Sequence, residues 1–247
     1  MISGRDVGKG LMGLLAGSGY GDLRPHPKEP IAGMIAWYDA ADTSTFLITS
    51  SAVEQWDDKS GGGNHLTQAV SGSRPRYTSD QINGIVCPYF DGSDDYMVAS
   101  SVSRGDRTCT WFHVGTLAGS GAIRPLAGAN GDGGNLFRTD SSRQLQTVKQ
   151  FVVNLFNSTV TVPLNAPFVA VQVLSATSVR HILNDDDDQS TSDSTTFTGR
   201  HLLLGCDPNG GNYWFGMMAE VIGYDYTLSD AEITHNIAYL MEKWGIT

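Results

Sequence analysis

Glycosidic hydrolysis needs two carboxyl groups flanking the scissile bond, about 5–10 Å apart, so the acids of this chain are read first. It has five glutamates, Glu29, Glu54, Glu220, Glu232 and Glu242. Glu220 stands alone on its apolar segment, and Glu232 lies three residues after Ser229, the spacing of a capping box. A retaining glycosidase is therefore not expected. The six histidines are dispersed, with no H-x-x-x-H or H-E-x-x-H pair to hold zinc. Gly119-Ser120-Gly121 lacks the strand-to-helix setting of a nucleophile elbow. We expect no enzyme and no catalytic residue.

Two clusters carry binding chemistry instead. Asn184 is followed by Asp185, Asp186, Asp187 and Asp188, and hard cations such as Ca²⁺ take oxygens from such groups. The acids are consecutive, without alternating ligand spacing, so a solvated hairpin tip is favoured over a Ca²⁺ site. No other cofactor is expected. Asn212, Tyr213 and Trp214 follow a Gly/Asn turn, where aromatic rings could stack on a sugar; the alternative is that Trp214 packs inside. Trp56 to Gly61 reads as a structural turn whose acids bond nearby backbone N–H groups, with a sugar site there as the alternative.

Elements must position these groups, and their composition points one way. The 247 residues hold 29 glycines and only 17% charged residues, which favours short strands joined by turns. A net charge of −10 argues against nucleic acid. Cys87, Cys109 and Cys206 show no C-x-x-C spacing and read as small buried apolar residues. No apolar run reaches the ~20 residues of a membrane span.

Strand-like runs are expected at 34–38, 85–90, 96–99, 108–114, 145–156, 159–162, 168–174, 180–183, 201–204 and 215–224. A helix follows, capped by Ser229, with Ile233, Ile237, Leu240 and Trp244 on one face and Gly245 at its end. Residues 1–30 differ in composition: Gly-rich, then Pro25-His26-Pro27-Lys28-Glu29-Pro30. Their faint likeness to a signal peptide is spoiled by Asp6 and a short apolar core. They read as a retained docking arm and linker, with Leu11, Met12, Leu14, Leu15 and Tyr20 as its contact residues.

Four stretches in order, 35–42, 53–65, 74–77 and 89–96, resemble concanavalin A-like, laminin-G-like jelly-roll domains of bacterial and phage surface proteins. The segment Phe215-Gly-Met-Met-Ala-Glu-Val-Ile-Gly-Tyr224, closed by Leu228-Ser-Asp-Ala-Glu232, resembles the end of that domain. The resemblance covers 31–247 and implies an all-β jelly-roll β-sandwich with a short C-terminal helix behind an extended N-terminal arm. Related glucanases carry Glu-x-Asp-x-x-Glu on one strand, a pattern absent here. Such domains serve as sugar-binding, adhesive or virion parts, so fold leaves function open. The expectation is a non-enzymatic bacteriophage virion surface protein, either capsid decoration or tail component. Residues 1–30 would dock on the major capsid protein or on tail proteins, and the body would sit on the particle as a homo-oligomer able to bind host glycans. The alternative is a secreted or cell-surface carbohydrate-binding module.

Overall fold

The computed structural model describes residues 28–102, 108–129, 134–149, 153–185, 187–197 and 201–247. The arm contacts expected at Leu11, Met12, Leu14, Leu15 and Tyr20 lie outside them. In chain order the first strands are β1 (Ala36–Asp39), β2 (Phe46–Thr49), β3 (Ala52–Trp56), β4 (Leu66–Thr67), β5 (Gln81–Ile82) and β6 (Ile85–Val86). Next come β7 (Tyr89–Asp91), β8 (Met97–Ala99), β9 (Cys109–Thr116), β10 (Arg124–Ala129), β11 (Asn135–Thr139) and β12 (Gln144–Lys149). The last are β13 (Val153–Thr161), β14 (Pro167–Leu174), β15 (Ser178–Leu183), β16 (Asp187–Ser192), β17 (Leu202–Leu204) and β18 (Phe215–Tyr224). A single α-helix, α1 (Asp230–Trp244), closes the described chain.

The protein is an all-β jelly-roll sandwich of concanavalin A-like type. One sheet has seven strands ordered β1-β18-β9-β14-β15-β16, with β7 pairing the far end of β18. The facing sheet has nine, ordered β13-β12-β11-β10-β17-β8-β4-β3-β2. Strands β9 and β14 are buried along nearly their whole length. Such strands read as continuous apolar runs because both faces are covered. Between the sheets lie Trp56, Phe90, Trp111, Phe137 and Phe168, all fully buried; Phe112, the residue after Trp111 on β9, faces the other way and packs edge-on against Tyr224. The three cysteines are buried as well, as expected of small apolar side chains.

Helix α1 forms as its sequence dictates. Ser229 accepts from the Glu232 N–H while the Glu232 carboxylate accepts from the Ser229 N–H, completing the capping box. Gly245 ends it in the left-handed region at φ 64°, a conformation costly for residues with a Cβ. Ile233, Ile237, Leu240 and Trp244 are buried as the periodicity requires, and so are Asn236 and Tyr239.

Several strands differ from expectation. The run 145–156 is not one strand: β12 and β13 pair antiparallel, with Lys149 opposite Val153. The sequence between them, Gln150, Phe151 and Val152, offers no Gly, Pro or Asn to mark a break. The β2–β3 hairpin was also unanticipated, since Ser50 and Ser51 reverse the chain at φ 53° and 64°, a role usually given to Asn-Gly. Strand β10 was unanticipated as well and runs through Gly128 to Ala129.

Candidate functional site

Register brings together what sequence spacing could not. In the antiparallel pair β1–β18, Asp39 lies opposite Glu220. Residues directly opposite on one sheet face sit about 5 Å apart. Helix α1 places Tyr239 and Lys243 one turn apart above this pair, a neighbouring i,i+4 relation. A cleft of about 470 Å³ opens beside them, lined by Lys28, Glu29, Trp37, Asp39, Lys59, Tyr239, Glu242 and Lys243.

Glu220 is fully buried behind the cleft. Its Oε1 accepts from Trp37 Nε1 at 2.7 Å and from the Tyr239 hydroxyl at 2.9 Å. Its Oε2 accepts from Trp244 Nε1 at 2.7 Å and pairs with Lys243 Nζ at 2.8 Å. Burial pushes this carboxyl above the usual carboxylate range, while Lys243 pulls it back. The Tyr239 hydroxyl is raised by burial first and then by Glu220. Removing an acid from water costs several kcal/mol unless charge and hydrogen bonds compensate, and here four donors do so.

Asp39 carries the next layer. Its Oδ1 takes Lys243 Nζ at 2.6 Å and its Oδ2 takes Lys59 Nζ at 2.8 Å. Lys59 also meets Asp42 Oδ2 at 3.2 Å and lies 4.4 Å from the Trp37 ring centroid. Burial works against the Lys59 charge, yet Asp39 and Asp42 hold its pKa above the ordinary value. Trp37 is fixed at three points: its indole on Glu220, its N–H on Asp58 Oδ1 at 2.9 Å, and its carbonyl accepting from Lys59 N–H at 2.8 Å.

Asp58 is the turn acid foreseen from sequence. It also accepts from the N–H groups of Ser60 and Asn64 at 2.8 and 3.0 Å, so the 56–64 turn fixes one wall of the cleft. Sequence reading saw Glu220 as isolated, and on its own strand it is. Its acidic neighbour comes from the opposite end of the chain. The only sequence signals were Asp39 in an apolar strand and Lys243 in the last helical turn.

The other anticipated residues are placed differently. Trp214 is fully buried, T-shaped against Phe168 at 6.2 Å, with Nε1 donating to the Met217 carbonyl at 3.3 Å. It belongs to the core and offers no ring to a sugar, because the strand it precedes turns its side chain between the sheets. Tyr213 is half-buried, and Asn212 donates to Asp207 Oδ2 at 2.6 Å inside its own turn. At the acidic tip, Asn184 turns the chain at φ 54° and Asp185 is exposed. Asp188 sits on β16 and forms a two-point pair with Arg180, 2.8 Å to Nε and 2.6 Å to Nη2. Its carboxylate is thus committed to a cross-strand pair. Asp186 lies outside the described residues, and Asp187 is described in its backbone alone.

A different acidic group gathers at the β7–β8 turn. Asp91, Asp94 and Asp95 bring oxygens within 4.8 Å of one another, and could offer three ligands to a cation. All three already accept hydrogen bonds, two within the turn and one from outside it. Asp91 Oδ1 accepts from the Ser93 N–H, Asp95 Oδ2 from the Asp91 N–H, and Asp94 Oδ2 from the Ser73 hydroxyl.

No family model and no curated protein matches the chain by sequence. Solved structures do match in shape. The sialidase of Trypanosoma rangeli superposes with a TM-score of 0.61 at 14% identity, over 87% of this chain and 33% of that one. Its complex with 2,3-difluorosialic acid gives a TM-score of 0.61 at 14% identity, over 86% of this chain and 34% of that one. The chain thus spans about a third of the length of the sialidases it resembles. A carbohydrate-binding module of family CBM40 from Ruminococcus gnavus IT-sialidase, bound to α2,3 sialyllactose, gives 0.49 at 12% identity over 59% of this chain and 92% of that one. The sialidase likeness establishes the sandwich architecture.

Proposed function

We propose that this chain is a non-enzymatic carbohydrate-binding module, displayed outward on a surface. The observation that carries the reading is the locked acidic pair. Asp39 and Glu220 both contact one ammonium, Lys243, so they fall near the ~5 Å separation of a retaining glycosidase. Yet Glu220 is sealed from solvent and its oxygens are taken by four donors. An acid–base residue must reach the proton it moves. This arrangement supports binding in the cleft without bond cleavage. Sialidases, which this chain resembles in fold, act on sugars, and a sandwich of this type is a frequent carrier of sugar sites.

A glycan array probed with the full chain tests the reading. Saturable binding competed by free sugar is the expected result; absence of binding to every glycan would overturn it. Release of sugar from a bound glycan would overturn the non-enzymatic part.

The finer reading is a bacteriophage virion surface protein, as capsid decoration or tail component, carried by residues 1–30. One local observation favours an arm leaving from a set place. Where the chain enters the body, Ile31 N–H donates to Asn236 Oδ1 at 2.8 Å, and the Glu29 carbonyl is 2.9 Å from His235 Nε2. Deletion of residues 2–28 should abolish incorporation into particles while the body remains folded. Normal incorporation of that truncation would refute docking through the arm. On the alternative of a secreted or cell-surface module, the same body would face the extracellular medium; among the described residues no helix is long and apolar enough to cross a membrane.

A further inference from the structure

We infer that the cleft between β1, the 56–64 turn and α1 is a sugar site selective for uncharged rings, a neutral mono- or disaccharide. This rests on the carbohydrate-binding reading and assigns it a place and a ligand class. At about 470 Å³ the cleft falls in the range of small-molecule sites, roughly 300–1,000 Å³. Its lining holds two aromatic side chains, Trp37 and Tyr239, with three cationic and three anionic ones. Such a wall gives a pyranose ring apolar area together with alternating donors and acceptors for its hydroxyls.

Charge decides the class. The two inner lysines are already neutralised, Lys59 by Asp39 and Asp42, and Lys243 by Asp39 and Glu220. A sugar carboxylate would have to displace these internal partners and approach Asp39, Glu29 and Glu242 as well. Like charges brought together in a partly desolvated site are costly. A hydroxyl meets no such penalty: it can accept from an ammonium N–H and donate to a carboxylate at once. The site is also organised before any ligand arrives. Trp37 is held at three points and the Lys243 ammonium at three, on Asp39, Glu220 and the Tyr239 hydroxyl. Fixed groups lose little freedom on binding.

The test uses the full-length protein and two probe sets, titrated by calorimetry. Neutral probes are glucose, galactose, mannose, N-acetylglucosamine, N-acetylgalactosamine and lactose; anionic probes are glucuronic acid and N-acetylneuraminic acid. At least one neutral probe should bind, and both anionic ones should bind about tenfold more weakly or not at all. Lys28→Ala and Glu242→Ala, two rim changes away from buried Glu220, should each weaken the neutral probe about tenfold with unchanged circular dichroism and Tm. Glu29→Ala, at an exposed residue of the same lining, serves should either rim variant prove unstable, and it too should weaken binding. Neutral sugar binding that ignores all three substitutions would overturn the cleft assignment and leave the carbohydrate reading standing. Preference for the anionic probes would overturn the ligand class. Failure of every probe, together with a blank glycan array, would overturn both.

Discussion

Histidine 181 shows how one buried side chain can govern acid sensitivity. It is fully buried on β15, with Nε2 2.7 Å from the Thr147 hydroxyl. That hydroxyl accepts from Gln172 Nε2 at 2.7 Å, so its own proton is left for the imidazole, whose Nε2 acts as acceptor. Burial pushes His181 down to about 3. The folded protein therefore refuses a proton that the unfolded chain accepts near the ordinary value of ~6.5. Its contribution to stability is whole above that value. It falls by about 1.4 kcal/mol per unit as pH drops from ~6.5 toward ~3. His181→Gln keeps an acceptor for Thr147 and removes the titration. Its urea-unfolding free energy should fall less steeply than wild type between about pH 6 and 4; parallel curves would refute the assignment. Sequence gave no sign of this, since the strand alternation that buries His181 looks the same for any residue at that position.

At the scale of elements, β18 shows why a glycine can matter more than a large residue. Gly216 sits at φ 143°, and a Cβ there would lie 2.0 Å from the Thr116 carbonyl oxygen. Gly216→Ala should lose about 3 kcal/mol, combining backbone strain with a clash that a strand cannot relax. Gly211, whose added Cβ would meet nothing within 4 Å, serves as control, and its Ala variant should stay within about 0.5 kcal/mol of wild type. Equal thermal shifts for the two would contradict the account. Helix α1 was fully legible, because capping and periodicity act over three or four residues. The β2–β3 reversal was not, because it uses Ser-Ser, and the break between β12 and β13 was not, because the sequence there holds no Gly, Pro or Asn. The candidate site was hardest to read. Trp37 and Glu220 meet across 183 residues of sequence, and no local signal reports the register of such a pair.

Across the whole molecule, the first and last described elements meet. Among the described residues, strand β1 pairs only with β18, and α1 supplies Tyr239, Lys243 and Trp244 to the Glu220 carboxylate. A chain ending at Tyr224 would lose three of the four donors to that acid and strip the cover from the sheet face on which Ile233, Ile237, Leu240 and Trp244 are buried. Each such apolar side chain contributes about 1.5–3 kcal/mol on burial, so their loss is a large share of the 5–15 kcal/mol that holds a domain together. The truncation should show no cooperative thermal transition by calorimetry; a normal transition would show that the helix is dispensable. The long-range sandwich pairing also places refolding among slower topologies, in the millisecond-to-second range.

The anchoring of Ile31 has a mechanical consequence. Tyr224 Oη donates to the Ile31 carbonyl at 2.6 Å, Asn236 holds the Ile31 N–H, and Asn236 Nδ2 reaches that same Tyr224 hydroxyl at 3.0 Å. Tension applied along residues 1–30 would reach this clamp before it reached the edge strand β1. The load would divide between α1 and the long strand β18 inside that edge, so the edge would be spared peeling and the cleft beside it would keep its shape under pull.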